Sequence, residues 1–252
     1  MKILIVGDSC IDEYVYGDCL RLSPEGPVPI LNEKDRTESP GMAANTHRNM
    51  LAFCSEAELM SNNYLEIIKT RFVDSKTNQL LLRVDINDTA ERISKEDIEE
   101  ICEQNYDLLV VSDYCKGFLQ DSDLIKITCN CELAVLDTKR KLTTEVLDVY
   151  DFVKLNEVEY ARNKDVIDSL ADNSKIIITL GGKGVKFMDN IFPPPAVLQT
   201  FDVSGAGDVF TASLAYKLCS GESVDESIRF AQECCNKVIQ KKGTCIYEKD
   251  MD

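Results

Sequence analysis

The sequence predicts an α/β fold, a doubly wound and mostly parallel sheet carrying a small β lid. Three observations carry that expectation. From about residue 107 onward, short runs rich in Val, Ile and Leu alternate with amphipathic stretches. Each apolar run ends in polar or glycine residues, as strands do where their carboxyl ends open onto a ligand cleft. Two segments nearer the start break the alternation and read as a separate small sheet.

The elements follow in order. "KILIVG" is a buried strand, and the Gly7-Asp8 pair ends its apolar run too early for a signal peptide. "RLSPEGPVPILNEKDRTES" holds three prolines and a modest strand signal. "TRFVDSKTNQLLLRVD" reads as two strands around a "DSKTN" turn. Together these predict a lid from segments of about 14–38 and 69–85, within one domain spanning 1–252. "LLVVSDY", "LAVLDT", "DFVKLN" and "KIIITLGG" are the later strands, and "EVEYARNKDVIDSLA" is a helix between two of them. Two helices close the chain, the second opening on Ser223 and Glu226 in a capping-box pattern. Asp8, Asp113, Asp137, Asn156 and Gly181 fall at strand ends, where a cleft is expected.

Composition narrows the function. The chain has 252 residues, 44% hydrophobic and 29% charged, which suits one domain with an ordinary core. Its net charge of −16 argues against nucleic acid, whose binding depends on neutralising phosphates. No apolar run approaches the roughly 18 residues of a membrane span. Eleven cysteines lack any C-x-x-C pair, and Cys129/Cys131 and Cys234/Cys235 do not match zinc spacing. They read as reduced thiols of a cytoplasmic protein. His47, the single histidine, lies in an expected helix and reads as structural.

"DVSGAGDVF", residues 202–210, concentrates the chemistry. Two glycines allow close approach to the backbone, and the apolar run after them predicts a helix whose free amides attract phosphate. A carboxylate there, Asp208, makes sense as a base that takes the proton of a hydroxyl attacking the phosphate. The amides of Gly205, Ala206 and Gly207 would carry charge on the transferring group. No G-x-x-x-x-G-K-[ST] run is present, so the protein is not a P-loop enzyme.

These residues resemble the PfkB, or ribokinase-like, carbohydrate kinases. "DVSGAGD" is similar to the family's D-T-x-G-A-G-D signature, "GMAAN" (41–45) to its first signature, "NEVE" (156–159) to N-x-x-E and "TLGGKG" (179–184) to its nucleotide-side loop. Within the family, "RLSPEGPVP", "SDYCKG", "LDTK" and the lid hairpin resemble the bacterial heptose-7-phosphate kinases, the kinase half of ADP-heptose synthase. The resemblance implies ATP and Mg²⁺ as cofactors, and transfer of phosphate to the anomeric hydroxyl of heptose 7-phosphate. It further implies a phosphosugar-binding role for Asp12, Arg21, Asn45, Lys116 and Lys139. Nucleotide contacts would fall to Asn156, Glu157, Val158, Glu159, Thr179, Gly181, Gly184 and Asn236, with Gly243 also bordering the base. Asn156 and Glu159 would organise the metal through water. Lys183 would face solvent.

Two departures stand out. Met42 replaces the second glycine of the first signature, and the stretch from Asn45 to Thr70 is shorter than in the family by about one strand-helix-strand unit. Both would suit a non-catalytic scaffold of the same fold, and a kinase for another sugar or phosphosugar is the enzymatic alternative. The chain stops at Asp252, so a separate adenylyltransferase is expected in the pathway. The exposed lid edges predict a homodimer.

Overall fold

A computed structural model of the chain describes residues 1–196, 203–241 and 246–248, and Gly243 lies outside them. Strand β1 (Ile3–Gly7) is completely buried, as five consecutive apolar or small residues flanked by other strands must be. The chain then runs into two long strands, β2 (Ser9–Leu22) and β3 (Pro29–Met42), paired antiparallel along their length. Helix α1 (Ala43–Leu51) and strand β4 (Glu58–Ser61) return it to β1. Strands β5 (Ile68–Asp74) and β6 (Leu80–Ile86) form the hairpin around the "DSKTN" turn, and β5 lies parallel to β2. These four strands make one sheet in the order β3-β2-β5-β6. The lid strands therefore start earlier and run further than the sequence indicated, because proline-bearing β3 finds a full partner in β2.

Alternation takes over afterwards. Helix α2 (Lys95–Glu103), strand β7 (Leu108–Asp113), helix α3 (Asp121–Lys126), strand β8 (Ala134–Thr138) and helix α4 (Thr144–Val149) follow in turn. Strand β9 (Phe152–Asn156), helix α5 (Glu157–Asp168) and strand β10 (Ile176–Thr179) continue the pattern. A short antiparallel ribbon, β11 (Val185–Phe187) and β12 (Asn190–Phe192), ends the sheet. Helices α6 (Ala206–Cys219) and α7 (Val224–Ile239) close the fold, the latter with Ser223 and Glu226 forming the expected capping box. The sheet order is β12-β11-β10-β9-β8-β7-β1-β4, parallel from β4 to β10. Helices cover both faces, so the fold is α/β with a mostly parallel sheet.

The order turns at β1, which has β4 on one side and β7 on the other. Such a point opens a crevice at the strand ends. Asp8 sits there, 1% exposed, and organises it. Its carboxylate accepts from the backbone amides of Tyr114 (2.8 Å), Lys116 (3.2 Å) and Phe118 (3.1 Å), while its carbonyl accepts from Ala43 N at the start of α1 (2.9 Å). Burial raises the Asp8 carboxyl, and the three amides work against that shift. His47 is structural, its Nε2 lying 2.8 Å from the Ala57 carbonyl. Each of the ten described cysteines is a free thiol. Among the described residues, no helix is long and apolar enough to cross a membrane.

Because Asp8 satisfies three amides at once, Asp8→Ala should cost on the order of 3 kcal/mol in urea denaturation. A loss below about 1 kcal/mol would show that water replaces the carboxylate without penalty.

Candidate active site

Helix α6 begins where Gly205 takes a left-handed backbone, φ 80°, at its N-cap. A β-carbon there would be strained, which is why glycine stands at the turn. Asp208 follows in the first turn and is 3% exposed. Three donors from two other elements converge on its carboxylate. Asn45 Nδ2 donates to Oδ2 at 2.8 Å, the Tyr114 hydroxyl donates to Oδ1 at 2.7 Å, and Thr46 Oγ1 lies 3.4 Å from Oδ1. Burial pushes the Asp208 carboxyl up to about 6, against the hydrogen bonds from Asn45 and Tyr114, which pull it down. Such a group is ionised at neutral pH yet basic enough to accept a proton.

The turn walls two cavities. The larger, about 640 Å³, meets Ala206 and Gly207 and has Asn156, Thr179, Gly181, Gly184 and Asn236 on its walls, with Val185, Phe210 and Ile239 supplying apolar surface. The smaller, about 270 Å³, meets Gly205 and Asp208 and is lined by Asp12, Lys69, Arg71, Arg83, Lys116 and Lys139. One cavity is apolar with a few polar groups, and the other is dominated by charge.

Strand alternation brings Asp12, Lys69, Arg71 and Arg83 to one face of the four-stranded sheet. Arg71 donates to Asp12 Oδ1 at 2.5 Å. Gly41 packs against that carboxylate so closely that a β-carbon there would lie 2.3 Å from Asp12 Oδ2. Lys139 Nζ lies 3.9 Å from the centre of the Tyr114 ring, and burial lowers its amine. Met42 keeps the backbone that favours glycine, φ 59°, while its side chain is buried with Cys10 and Ile67.

Beneath the turn lies a buried ion pair. Lys154 Nζ is 2.9 Å from Asp137 Oδ2, which also accepts from Thr211 Oγ1 at 2.7 Å. Burial opposes the charge on Lys154, but the Asp137 carboxylate overrides it and holds the amine above its usual value. A β-carbon on Gly207 would come within 3.4 Å of Lys154 Nζ.

Four expected contacts take other forms. Asn45 is fully buried and gives its amide to Asp208, so it supports that carboxylate instead of facing the smaller cavity. Arg21 is exposed on β2, nine residues beyond Asp12, or about 30 Å at strand rise. It does not reach the cavity, and Lys69, Arg71 and Arg83 supply the cations instead. Glu157 points outward to Lys183, 3.1 Å away, and Val158 is 69% exposed, because the first turn of α5 carries both off the cavity.

Asn156 caps α5, its Oδ1 accepting from Val158 N and Glu159 N at 2.9 Å each, while Glu159 accepts from Asn156 N at 2.7 Å. Asn156 Oδ1 is thereby committed. Burial raises the Glu159 carboxyl, and Asp137 raises it further. A carboxylate so placed gains from a cation, and the donor set fits a hydrated Mg²⁺ better than a directly ligated one.

Sequence reasoning missed Lys154, Tyr114, Lys69, Arg71, Arg83 and Thr211 as members of the site. Lys154 left a signal, a lone cation inside the apolar run "DFVKLN" of a buried strand. The period-two charges of "KTR" (69–71) and "RVD" (83–85) left another.

Comparison with known proteins agrees with this geometry. The fold is ribokinase-like: a ribokinase from Arabidopsis thaliana, solved complexed with ribose and ATP, superposes with a TM-score of 0.68 at 18% identity, covering 96% of this chain and 93% of that one. The family described as pfkB family carbohydrate kinase matches residues 77–250. The chain belongs to that family. It is also similar to the bifunctional protein HldE of Sulfurimonas denitrificans, 29% identical over 300 residues, and of Koribacter versatilis, 31% identical over 303 residues. These matches cover 96% and 98% of this chain, which spans 61% of the length of each relative.

Lys154→Met would strand Asp137 as a buried charge, and we expect a loss of about 3 kcal/mol at neutral pH. Urea denaturation of the two proteins measures it, and a loss below about 1 kcal/mol would show that the pair contributes little beyond packing.

Proposed function

We propose that the chain transfers the γ-phosphate of ATP to the anomeric hydroxyl of heptose 7-phosphate, giving the 1,7-bisphosphate used for ADP-heptose and lipopolysaccharide precursors. The observation that carries this reading is the turn at 205–208, with a buried carboxylate on its cationic side and an apolar cavity behind it. The HldE relatives and the "RLSPEGPVP" run favour heptose among the sugars.

Each group has a task in this reading. The nucleotide occupies the larger cavity, its phosphates reaching the amides of Gly205, Ala206 and Gly207. The sugar occupies the smaller cavity, where Asp12, held by Arg71, orients its hydroxyls. Asp208 takes the proton of the anomeric hydroxyl, whose oxygen attacks the γ-phosphorus while the bond to the bridging oxygen of ADP breaks. The turn amides stabilise charge on the phosphoryl group in transit. Mg²⁺, held through water by Glu159, would neutralise phosphate charge, while Asn156, its Oδ1 taken by two amides, fixes the start of α5.

ADP release with a panel of sugars tests the substrate. Heptose 7-phosphate should far exceed ribose, fructose and adenosine in kcat/KM, since a site built around a phosphate is left with unpaired charges by analogues lacking one. Equal turnover of an unphosphorylated sugar would overturn the assignment.

The base has its own signature. Asp208→Asn should lower kcat by about 10²-fold or more. In the unsubstituted protein kcat/KM should fall as pH drops below about 6, where Asp208 takes up a proton. A substrate phosphate also titrates near 6, roughly, so the decisive variant is Tyr114→Phe. It removes a hydrogen bond that favours the ionised carboxylate and should move the acid limb to higher pH. An unmoved limb would assign it to the substrate.

A homodimer formed through the lid belongs to the same reading. Leu82, Val84 and Ile86 alternate along edge strand β6 and are 56%, 38% and 45% exposed. They lie on the face opposite Arg83 and Asp85, and a second copy would cover both that apolar row and the open edge. Light scattering should give a dimer that Val84→Glu dissociates, and a monomeric unsubstituted protein at micromolar concentration would refute it.

A further inference from the structure

The cations of the smaller cavity are not equivalent. Arg71 is engaged by Asp12, and Lys139 lies over the Tyr114 ring. Lys69 and Lys116 come from different parts of the fold, β5 and the turn after β7, yet both reach one carboxylate, that of Asp88. Lys69 Nζ lies 2.8 Å from Asp88 Oδ1, and Lys116 Nζ pairs with Oδ2. Asp85 joins from β6, 3.3 Å from Lys69 and 2.8 Å from Arg83 Nε.

Exposure separates the partners. The Lys69 and Lys116 side chains are 8% and 19% exposed, whereas Asp88 is 42% exposed. Both lysines line the cavity, and the acid that bridges their ammonium groups comes from the segment just after β6. Burial works against the charge on Asp88, but hydrogen bonds from Lys116 and Lys69 hold its carboxyl below the usual range. The site is thus built for an anion and filled by one of the protein's own.

We propose that the Lys69–Lys116 clamp is the seat of the phosphate that the sugar substrate already carries, and that Asp88 occupies it until substrate arrives. This rests on the kinase reading above and deepens it. A phosphate monoester brings more charge than a carboxylate, about −1.5 to −2 at neutral pH, and three acceptor oxygens for two ammonium groups. It therefore displaces Asp88, which has solvent to move into. A sugar without phosphate leaves the clamp closed on Asp88 and gains nothing from it. Asp88 thereby sets a threshold that only a charged substrate passes.

The test uses inorganic phosphate as the probe, so that it reads the clamp without turnover. Calorimetric titration should show Asp88→Asn binding phosphate about tenfold more tightly than the unsubstituted protein, since a competing anion is gone. Lys116→Met should bind it about tenfold more weakly, and the double variant should lose the gain. With heptose 7-phosphate, Asp88→Asn should lower KM at constant kcat, leaving the dephosphorylated heptose unaffected. Unchanged or weaker phosphate binding by Asp88→Asn would overturn the proposal, and ADP formation from heptose 7-phosphate would then still uphold the kinase. Tighter phosphate binding with no ADP from any phosphosugar would uphold the clamp as an anion seat while removing the kinase reading.

Discussion

Burying the Asp208 carboxylate at the head of α6 is the constraint on which the rest of the molecule depends. Desolvation pushes its proton affinity up, and only specific donors keep it ionised near neutrality. The donors come from α1 and from the turn after β7, which are far apart in sequence, so both must be fixed to a common reference. Asp8 is that reference. Its carbonyl receives the first amide of α1, and its carboxylate receives the amides around Tyr114. One acidic side chain at the end of β1 thus positions the groups that tune another, without touching it.

The same economy explains how an acidic chain offers a cationic cavity. Charges beyond about 8–10 Å are largely screened at physiological salt, so the net −16 does not decide what a cleft attracts. Local placement does. Lys69, Arg71 and Arg83 reach the cavity because the strand period puts them on one face, while Leu82, Val84 and Ile86 fall on the other. A one-residue slip in the β5–β6 register would exchange the two sets, turning cations to solvent and leucine to the cavity. The turn at "DSKTN" guards against that slip: Asp74 accepts from Thr77 N and Thr77 Oγ1 at 2.9 and 2.7 Å.

Much of this was legible in the sequence, for identifiable reasons. The strands β7 to β10 announce themselves because a fully buried parallel strand needs an unbroken apolar run. The turn at Gly205 was legible because backbone geometry restricts the residue type. What stayed hidden depends on partners distant in sequence. Asn45 read as a sugar ligand because its amide could serve either a hydroxyl or a carboxylate, and only the approach of α6 decides between them. Arg21 read as a phosphosugar ligand because it opens the "RLSPEGPVP" run that carries the resemblance to the heptose-7-phosphate kinases. The 14-residue β2 instead carries it to the far end of the small sheet. Lys154 was hidden for the opposite reason: its partner Asp137 sits on the next strand, at a register position no local pattern encodes.

The N-x-x-E stretch shows how local structure and chemistry share residues. Asn156 and Glu159 satisfy each other's backbone amides, which is what any helix start requires. That box fixes the Glu159 carboxylate against one backbone donor and within the field of Asp137, Lys154 and Lys139. The capping role is therefore the means by which the carboxylate stays buried beside those charges, since a free rotamer would turn to solvent. A helix cap and a buried, charged carboxylate are one arrangement seen from the backbone side and from the side chain. The same holds at α6, where the turn that starts the helix also buries the Asp208 carboxylate in its first turn.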